Sequence, residues 1–246
     1  MTPVIKLQNI SKTFKSDVGK STVALKNIDL EISEGEFFVF LGPSGSGKST
    51  LLKIINGFEP PSSGKMTLRP DINLTDFSFI FQQFALFPWL TVRRNIELGI
   101  IARDFLKSDL ERIVKTELKR MGLEKFAEAY PKELSGGMRQ RVGIGRALAQ
   151  KPKIIFMDEP FSELDSFTAE ELRQELLKIW RDTKLTIIMV THLIEEALDL
   201  ADRIAIMTPL PGQIEKILTN NLPRPRNKRS PKFYRLYDEI YRLIKP

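Results

Sequence analysis

The sequence of 246 residues contains no cysteine and a single histidine. Without cysteine there is no disulfide framework, no thiolate metal site and no cysteine nucleophile, which suits a reducing compartment. No stretch approaches the roughly 18 consecutive apolar residues of a membrane span, and the first residues lack the charged and apolar regions of a secretion signal. We expect a soluble, cytosolic protein whose 42% apolar content suffices for one or two domains with a buried core.

The net positive charge is concentrated at one end of the chain. Residues 224–246 contain eight Lys or Arg and two acidic residues, so this segment holds six of the seven net positive charges. A near-neutral body with a basic tail is compatible with an anionic membrane surface, where each nearby Lys or Arg contributes on the order of 1 kcal/mol. A solvated tail that aids solubility is the alternative interpretation.

Short strand-like segments alternate with helical ones, which indicates an α/β domain. The predicted strands are Val4–Leu7, Ala24–Ile32, Phe37–Leu41, Phe77–Phe81, Lys153–Met157, Leu185–Val190, Arg203–Met207 and Gln213–Leu218. The third, fifth and sixth of them contain apolar runs without polar alternation, so we expect strands covered on both faces. Gly42, Asp158 and the pair Thr191-His192 follow these three strands, as expected if ligands bind beyond the carboxyl ends of parallel strands.

Two other regions differ from this alternating pattern. Between residues 91 and 150 the apolar spacing becomes helical, which predicts an inserted helical subdomain. Residues 222–227 predict a linker, because two prolines and three polar residues continue neither a strand nor a helix. Ser230 and Pro231 predict the N-cap and first position of a last helix. We expect its apolar face to pack on the protein's own body, with a partner site as the alternative. That face comprises Phe233, Tyr237, Ile240 and Ile244.

A glycine-rich loop follows the strand predicted at 37–41. Residues 42–49 fit the pattern G-x-x-x-x-G-K-[ST] and precede an apolar helix. The glycines allow backbone amides to turn toward a β-phosphate, and the helix start directs its positive end at the anion. Lys48 is expected to neutralise phosphate oxygens, and the Ser49 hydroxyl to coordinate Mg²⁺. The predicted nucleotide-binding residues here are Gly42, Pro43, Ser44, Gly45, Ser46, Gly47, Lys48, Ser49 and Thr50.

Two carboxylates follow the apolar strand predicted to end at Met157. Asp158 can hold a hydrated Mg²⁺, and Glu159 can orient or deprotonate an attacking water. An acidic pair at a strand end is by itself also a common structural feature. The pair gains significance because it follows two glycine-containing segments, the phosphate loop at 42–49 and a second segment at 134–141.

The second of those segments, residues 134–141, reads Leu-Ser-Gly-Gly-Met-Arg-Gln-Arg. Together with the phosphate loop it resembles the signature of the ATP-binding-cassette (ABC) ATPases. The resemblance implies a P-loop NTPase cassette with a mainly parallel core sheet, an N-terminal antiparallel β region and an inserted helical subdomain. The ATPase domain would span 1–221, with the helical subdomain at about 91–150. Residues 222–246 would form the basic linker and C-terminal amphipathic helix.

The resemblance also implies roles for individual residues. His192 matches the switch histidine that senses the γ-phosphate, and Gln82 matches the glutamine that reaches Mg²⁺ and the attacking water. Phe14 lies where the family stacks an aromatic ring on adenine. Residues 162–165 match the dimer-contacting D-loop, which includes Asp165, and Glu163 replaces a small residue there. ATP and Mg²⁺ are the implied cofactors. The implied catalytic residues are Lys48, Gln82, Glu159 and His192. The implied metal-binding residues are Ser49, Gln82 and Asp158.

The signature itself is expected to bind an anion. Ser135, Gly136 and Gly137 precede an apolar-periodic helix, whose unpaired amides and positive dipole end face the site. In the family the signature of one copy closes over the ATP held by another. The implied partners are a second ABC ATPase subunit, transmembrane permease subunits and an extracytoplasmic solute-binding protein. The implied location is peripheral, on the cytoplasmic face of the cell membrane.

Within the family, the sequence at Met138 and at residues 84–92 and 201–214 is similar to the branch of importers for nitrate, sulfonate and taurine. We therefore expect the ATP-hydrolysing subunit of an importer for a small polar or anionic solute. An exporter is an alternative, because the membrane subunits decide the direction. A soluble nucleic-acid-linked ABC ATPase is less compatible with a single cassette that has 86 residues between Gly47 and Leu134. We expect no nucleic-acid partner, and a non-hydrolysing module is disfavoured by Lys48, Glu159 and His192.

Overall fold

The computed structural model describes residues 3–15, 19–101 and 107–245. The chain forms two compact units, the first made of residues 1–74 and 184–246 and the second of residues 75–183. Strands within the described ranges are β1 (Pro3–Lys15), β2 (Ser21–Ser33), β3 (Phe37–Leu41), β4 (Ser63–Leu68), β5 (Phe77–Ile80), β6 (Ile154–Asp158), β7 (Thr186–Thr191), β8 (Arg203–Met207) and β9 (Ile214–Thr219). Helices there are α1 (Lys48–Asn56), α2 (Val92–Ile101), α3 (Lys107–Arg120), α4 (Gly136–Ala149), α5 (Ser166–Thr183), α6 (Ile194–Leu200) and α7 (Pro231–Ile244).

The first unit contains an antiparallel sheet in the order β2-β1-β4. This sheet confirms the expected N-terminal antiparallel region. β1 and β2 each run for 13 residues, longer than the sequence predicted, because register shifts after Leu7 interrupt the alternation of apolar residues. β4 was not predicted from the sequence. Its first three residues are exposed and only Met66 and Leu68 are partly buried, so it carries no apolar signal.

The first unit also contains three parallel strands. β3 pairs in parallel with β7 on one side and with β8 on the other, and β9 adds antiparallel to β8. All residues of β3 and β7 are buried. This burial confirms the expectation that both strands are covered on both faces. Leu41 lies opposite Thr191 and Ile206, so the segments that follow β3 and β7 emerge at the same edge.

The second unit combines a parallel strand pair with helices. β5 pairs with β6, and Ile80 lies opposite Met157. α2, α3 and α4 occupy the region where the sequence predicted helices, and α2 packs closely against α4. A side chain at Gly99 of α2 would begin 2.2 Å from the carbonyl oxygen of Arg146, so only glycine permits this approach. In the part of the chain that the structure describes, no helix has the length and apolar character needed to cross a membrane.

The C-terminal helix packs on the first unit. Ser230 Oγ accepts a hydrogen bond from Phe233 N at 3.2 Å, which confirms the predicted N-cap, and Pro231 is the first helical residue. Phe233 and Ile240 are buried, and α7 contacts α6 and β8. Phe233 and Ile240 therefore pack on the protein's own body as predicted, whereas Tyr237 and Ile244 of the same predicted face are only half-buried.

The basic linker that precedes α7 is tied to the end of α6. Arg224 donates to Asp202 Oδ1 and to the carbonyl oxygen of Leu200, both at 2.5 Å. Arg226 is buried, donates to Ala201 O at 2.6 Å, and has a pKa lowered to about 10, chiefly by burial. Cationic side chains stabilise the carbonyl end of a helix. These two arginines therefore serve the fold, and neither the membrane nor the solvent interpretation of the tail applies to them.

Candidate functional site

The phosphate loop connects β3 to α1 and is shaped around Lys48. Lys48 Nζ donates to the carbonyl oxygens of Gly42 and Pro43, at 2.8 Å each, and to Ser46 Oγ at 3.4 Å. Gly45 and Gly47 have φ values of 81° and 84°, which L side chains rarely adopt. Gly47 is the N-cap of α1 and offers no side chain to its amides. The first turn of α1 thus has amides and a positive dipole end suited to a phosphate group.

Close packing behind the loop explains two of its glycines and identifies one residue that the sequence did not single out. A Cβ at Gly42 would lie 2.7 Å from Met207 O, and one at Gly47 would lie 2.8 Å from Ala24 O. The additional residue is Gly212, where a Cβ would lie 2.1 Å from the carbonyl oxygen of Ser46. Its only signal in the sequence is a glycine in a proline-containing turn, which did not distinguish it from other turn glycines.

His192 lies at the same strand edge as the phosphate loop, because β7 is the immediate neighbour of β3. The preceding residue fixes the backbone there. Thr191 Oγ1 donates to Glu196 Oε2 at 2.7 Å and accepts from Leu193 N at 3.1 Å. Thr191 and Glu196 are buried, whereas His192 is exposed. The structure thus brings the loop and the histidine to the same edge. The buried Thr191–Glu196 pair orients the turn that follows β7 and contains His192.

Phe14 also belongs to the first unit. It lies on β1, paired with Thr22 of β2, and its side chain is 43% exposed. The Lys12 ammonium lies over its ring, 5.1 Å from the centroid. The ammonium covers one face of the ring, and the exposed remainder of the side chain is where a planar base can stack.

In the second unit, Gln82 and the two carboxylates lie at one edge of a parallel strand pair. β5 ends at Ile80 opposite Met157, so Gln82 emerges beside Asp158 and Glu159. Glu159 has a φ of 44°, and its carbonyl oxygen accepts hydrogen bonds from Ser162 N at 3.2 Å and Ser162 Oγ at 3.0 Å. A left-handed backbone at a residue other than glycine costs energy and persists where neighbouring contacts enforce it. These two bonds hold the tight turn that follows Glu159.

The signature residues begin α4 and pack on the segment that follows Glu159. Ser135 is the N-cap, and its Oγ accepts from Met138 N at 3.3 Å. A Cβ at Gly136 would lie 3.3 Å from Leu164 Cδ2, and one at Gly137 would lie 2.4 Å from Thr168 Cγ2. Gly137 therefore permits the close approach of α4 to the first turn of α5. This packing leaves Gly137 itself buried at the start of the helix.

Asp165 caps α5 in the same cluster. Its Oδ1 accepts from Thr168 N at 3.0 Å and from Phe167 N at 3.1 Å. Hydrogen bonds from Thr168 lower the pKa of Asp165, and the bond from its side chain has a larger effect than the bond from its backbone. Glu163 is exposed beside it. The Asp165 carboxylate thus binds its own helix, and no feature of the structure accounts for the acidic residue at 163.

The segment after Gln82 is held by two residues that the sequence did not single out. The buried Asn95 accepts from Phe87 N at 2.9 Å and donates to the carbonyl oxygens of Phe87, Leu90 and Thr91 at 3.0–3.2 Å. Arg146 donates to the carbonyl oxygens of Phe84 and Ala85. Asn95 lies on α2, only four to eight residues beyond the groups it bonds. Arg146 lies on α4, 61 and 62 residues from the carbonyl groups it binds, where no local pattern could identify it.

The described residues therefore form three arrangements. The first unit joins a phosphate-binding loop to a histidine, and the second joins a glutamine to two carboxylates. The third, also in the second unit, joins a glycine-rich helix start to the cap of α5. Taken separately, these arrangements can bind an anion, supply oxygen ligands to a divalent cation and act on a water molecule.

Comparisons with known proteins identify the family of this arrangement. The family model described as "ABC transporter" matches residues 25–162. The chain is 42% identical to the nitrate import ATP-binding protein NrtD of Synechocystis sp., over 98% of this chain and 95% of that protein. It is also 42% identical to the aliphatic sulfonates import ATP-binding protein SsuB of Bacillus thuringiensis subsp. konkukian, over 96% of this chain and 94% of that protein.

A solved structure agrees with these relatives. The ATP-binding cassette MJ0796, in a dimeric post-hydrolysis state bound to ADP and Pi, matches with a TM-score of 0.76 and 38% identity. The match covers 88% of this chain and 99% of that one. The parallel strands, the antiparallel N-terminal sheet and the phosphate loop found here are thus those of an ATP-binding cassette, and the chain belongs to the ABC transporter family.

Proposed function

We propose that this chain is the ATP-hydrolysing subunit of an ABC importer for a small polar or anionic solute. One observation carries the ATPase assignment: the Lys48 ammonium lies within a glycine loop at the start of α1, where a phosphate chain can bind. The importer assignment is supported by the names of the relatives, which import nitrate and aliphatic sulfonates.

The nucleotide would bind along the first unit. Backbone N–H groups of residues 44–50 surround the β-phosphate, and the Lys48 ammonium exchanges its carbonyl partners for β- and γ-phosphate oxygens. Phe14 stacks on the adenine. His192, held beside the loop by the turn at Thr191, contacts the γ-phosphate.

Residues at the strand ends would carry out the hydrolysis. The Ser49 hydroxyl, the Gln82 amide oxygen and the Asp158 carboxylate are oxygen donors of the kind that Mg²⁺ prefers, so the residues fit this ion. Mg²⁺, when bound, neutralises charge on the phosphate oxygens. Glu159 accepts a proton from the attacking water or orients it.

The signature would complete the site of a second copy. Ser135, Gly136 and Gly137 present the start of α4 to the γ-phosphate bound by the other subunit, and Asp165 lies in the segment that contacts that subunit. Binding of ATP then closes the dimer and hydrolysis opens it. The dimeric cassette MJ0796 supports this arrangement.

The full system would contain membrane permease subunits and an extracytoplasmic solute-binding protein, with this chain bound at the cytoplasmic face. Residues 84–90, the aromatic segment, are the proposed contact for the permease. Phe87 and Trp89 are exposed there, with ring centroids 5.4 Å apart. Exposed aromatic side chains of this kind are typical of protein interfaces.

The experiment that tests the ATPase assignment is the variant Glu159→Gln. We expect it to retain ATP binding, lose turnover and accumulate as an ATP-bound dimer in size-exclusion chromatography. Glu171→Gln, an exposed glutamate on α5, is the matched control and should hydrolyse ATP at the wild-type rate. Unchanged turnover in Glu159→Gln would reject Glu159 as the base.

A second experiment tests the importer assignment. Membrane proteins that co-purify with a tagged form of the chain would be reconstituted with it in vesicles, and the direction of solute movement would be measured. Import of a small anion supports the proposal, and export contradicts it. Salt-sensitive binding of DNA or RNA by the purified chain would instead favour a nucleic-acid-linked ATPase.

A further inference from the structure

Two consecutive residues after Gln82 hold a left-handed backbone. Phe84 has a φ of 55° and Ala85 a φ of 47°. Neither is glycine, so each position costs free energy relative to the ordinary backbone regions. Ala85 N donates to Gln83 O, which makes the turn tight. Contacts outside the turn must hold this conformation.

The contacts come from one face of α4. Arg146 Nη1 donates to Ala85 O at 2.7 Å, and Nη2 donates to Phe84 O at 3.2 Å. The Arg139 guanidinium lies 5.4 Å from the centroid of the Phe84 ring. Gly143 lies between these arginines on the helix, and a Cβ there would be 3.6 Å from Phe84 O. α4 therefore binds both strained residues at once.

The environment of Arg146 indicates that its two bonds matter. Burial is the cause that lowers the pKa of its guanidinium, and no carboxylate contributes to that shift. A partly buried cation that is matched by backbone carbonyls instead of a carboxylate is an unfavourable arrangement in a protein. The fork of Arg146 spans two carbonyl oxygens at a fixed separation, which a lysine ammonium cannot do.

The turn lies between two functional segments. Gln82 lies two residues before it, and the aromatic segment, residues 84–90, contains it. α4, which holds the turn, is capped at its start by the signature residue Ser135. We propose that Arg146 is a positioning residue that locks the turn at Phe84 and Ala85 to the signature helix and thereby sets the position of Gln82 for hydrolysis. This inference rests on the proposed ATPase function.

The test combines loss of the arginine with relief of the strain. Arg146→Gln should lower kcat by about tenfold or more, the loss expected from charge-assisted hydrogen bonds. The KM for ATP should change less than about twofold, because Lys48 and its loop retain the contacts that bind nucleotide. Adding Ala85→Gly should recover about threefold or more of the lost kcat, since glycine adopts positive φ at little cost.

Lys151→Gly is the matched control for the rescue. Lys151 lies just beyond α4 in the same unit and has a φ of 50°, so glycine relieves similar strain there without touching the turn. Combined with Arg146→Gln, it should recover no activity. Equal recovery by both glycines, or recovery by neither, would mean that Arg146 acts only through general stability, and the inference would be overturned.

A second readout follows the turn without ATP. In a Trp180→Phe chain, Trp89 is the only tryptophan, and acrylamide should quench its fluorescence more in Arg146→Gln than in the parent chain. If Arg146→Gln does not fold, Arg146→Lys serves in both measurements, because it keeps the charge but reaches one carbonyl. A folded variant with wild-type kcat and wild-type quenching would overturn this inference and leave the proposed ATPase function standing. A parent chain that does not hydrolyse ATP overturns the proposed function.

Discussion

Replacing Gly212 by alanine should distort the phosphate loop, and the structure allows the size of the effect to be worked out. The new Cβ would lie 2.1 Å from Ser46 O and 3.1 Å from Ala24 O, both of them backbone atoms. Gly212 cannot move away easily, because its N–H donates to Ala24 O and its carbonyl accepts from Lys26 N, at 3.0 Å each. The clash must therefore displace Ser46 and the loop around it.

The magnitude follows from the cost of overpacking. Inserting a methyl group into close-packed structure typically costs about 1–3 kcal/mol, and each kcal/mol lowers the Tm of a chain of this size by about 2–4 °C. Gly212→Ala should therefore melt about 2–12 °C below the parent chain in circular dichroism. A fluorescent ATP analogue should also bind more weakly, because the loop amides no longer converge on the phosphate.

Gly19→Ala is the matched control for this substitution. It lies in the same unit at a φ of 76°, with no heavy atom within 4 Å of an added Cβ, so it introduces backbone strain without a clash. It should lower the Tm by about 2–4 °C, from a strain of about 1 kcal/mol, and leave nucleotide affinity unchanged. Gly212→Ala would refute the reasoning if it bound the analogue as tightly as Gly19→Ala does.

Three further predictions concern the stability of the fold. Asn95→Ala should cost about 1–3 kcal/mol in urea unfolding, because it strips buried backbone groups of their partner; an unchanged midpoint would contradict this. Burial raises the pKa of Glu117 above 4.5, so its charged form destabilises the fold as pH rises through that raised pKa. Glu117→Gln should therefore raise the Tm more at neutral pH than below pH 4.5, and a constant difference would contradict the sign. Ser230→Ala should cost about 1 kcal/mol through loss of the α7 cap, and Lys232→Ala, as control, should cost less.

The sequence predicted the central strands well, because their apolar runs are signals contained within five or six residues. β3 and β8 have the bounds predicted, and β6 and β7 differ by one residue at each end. The extent of β1 was underestimated because Asn9, with a φ of 52°, interrupts its alternation. β4 was missed because its residues pair by backbone and bury little apolar surface.

The candidate site was predictable in its ligand-facing residues and not in their supports. Phosphate loops and signature helices require particular residues at fixed spacing, so they can be found from one sequence. Arg146 donates a hydrogen bond to the carbonyl oxygen of Ala85, 61 residues away in sequence. Gly212 packs against the backbone of Ser46 in the phosphate loop, far from it in sequence. Such pairs depend on where the fold brings two segments together, and no local pattern encodes that.

The central claim, that each reaction centre combines two chains, is tested most directly by crosslinking. The natural chain has no cysteine, so Ser44→Cys and Ser135→Cys can be introduced on separate copies of the Glu159→Gln chain as the only thiols. The copies would be mixed with ATP, treated with a short bismaleimide and separated by mass. The account predicts an ATP-dependent product of twice the 28.2 kDa chain mass that contains one copy of each variant. A crosslink that forms within a single chain carrying both cysteines, with no ATP-dependent product between separate copies, would contradict it.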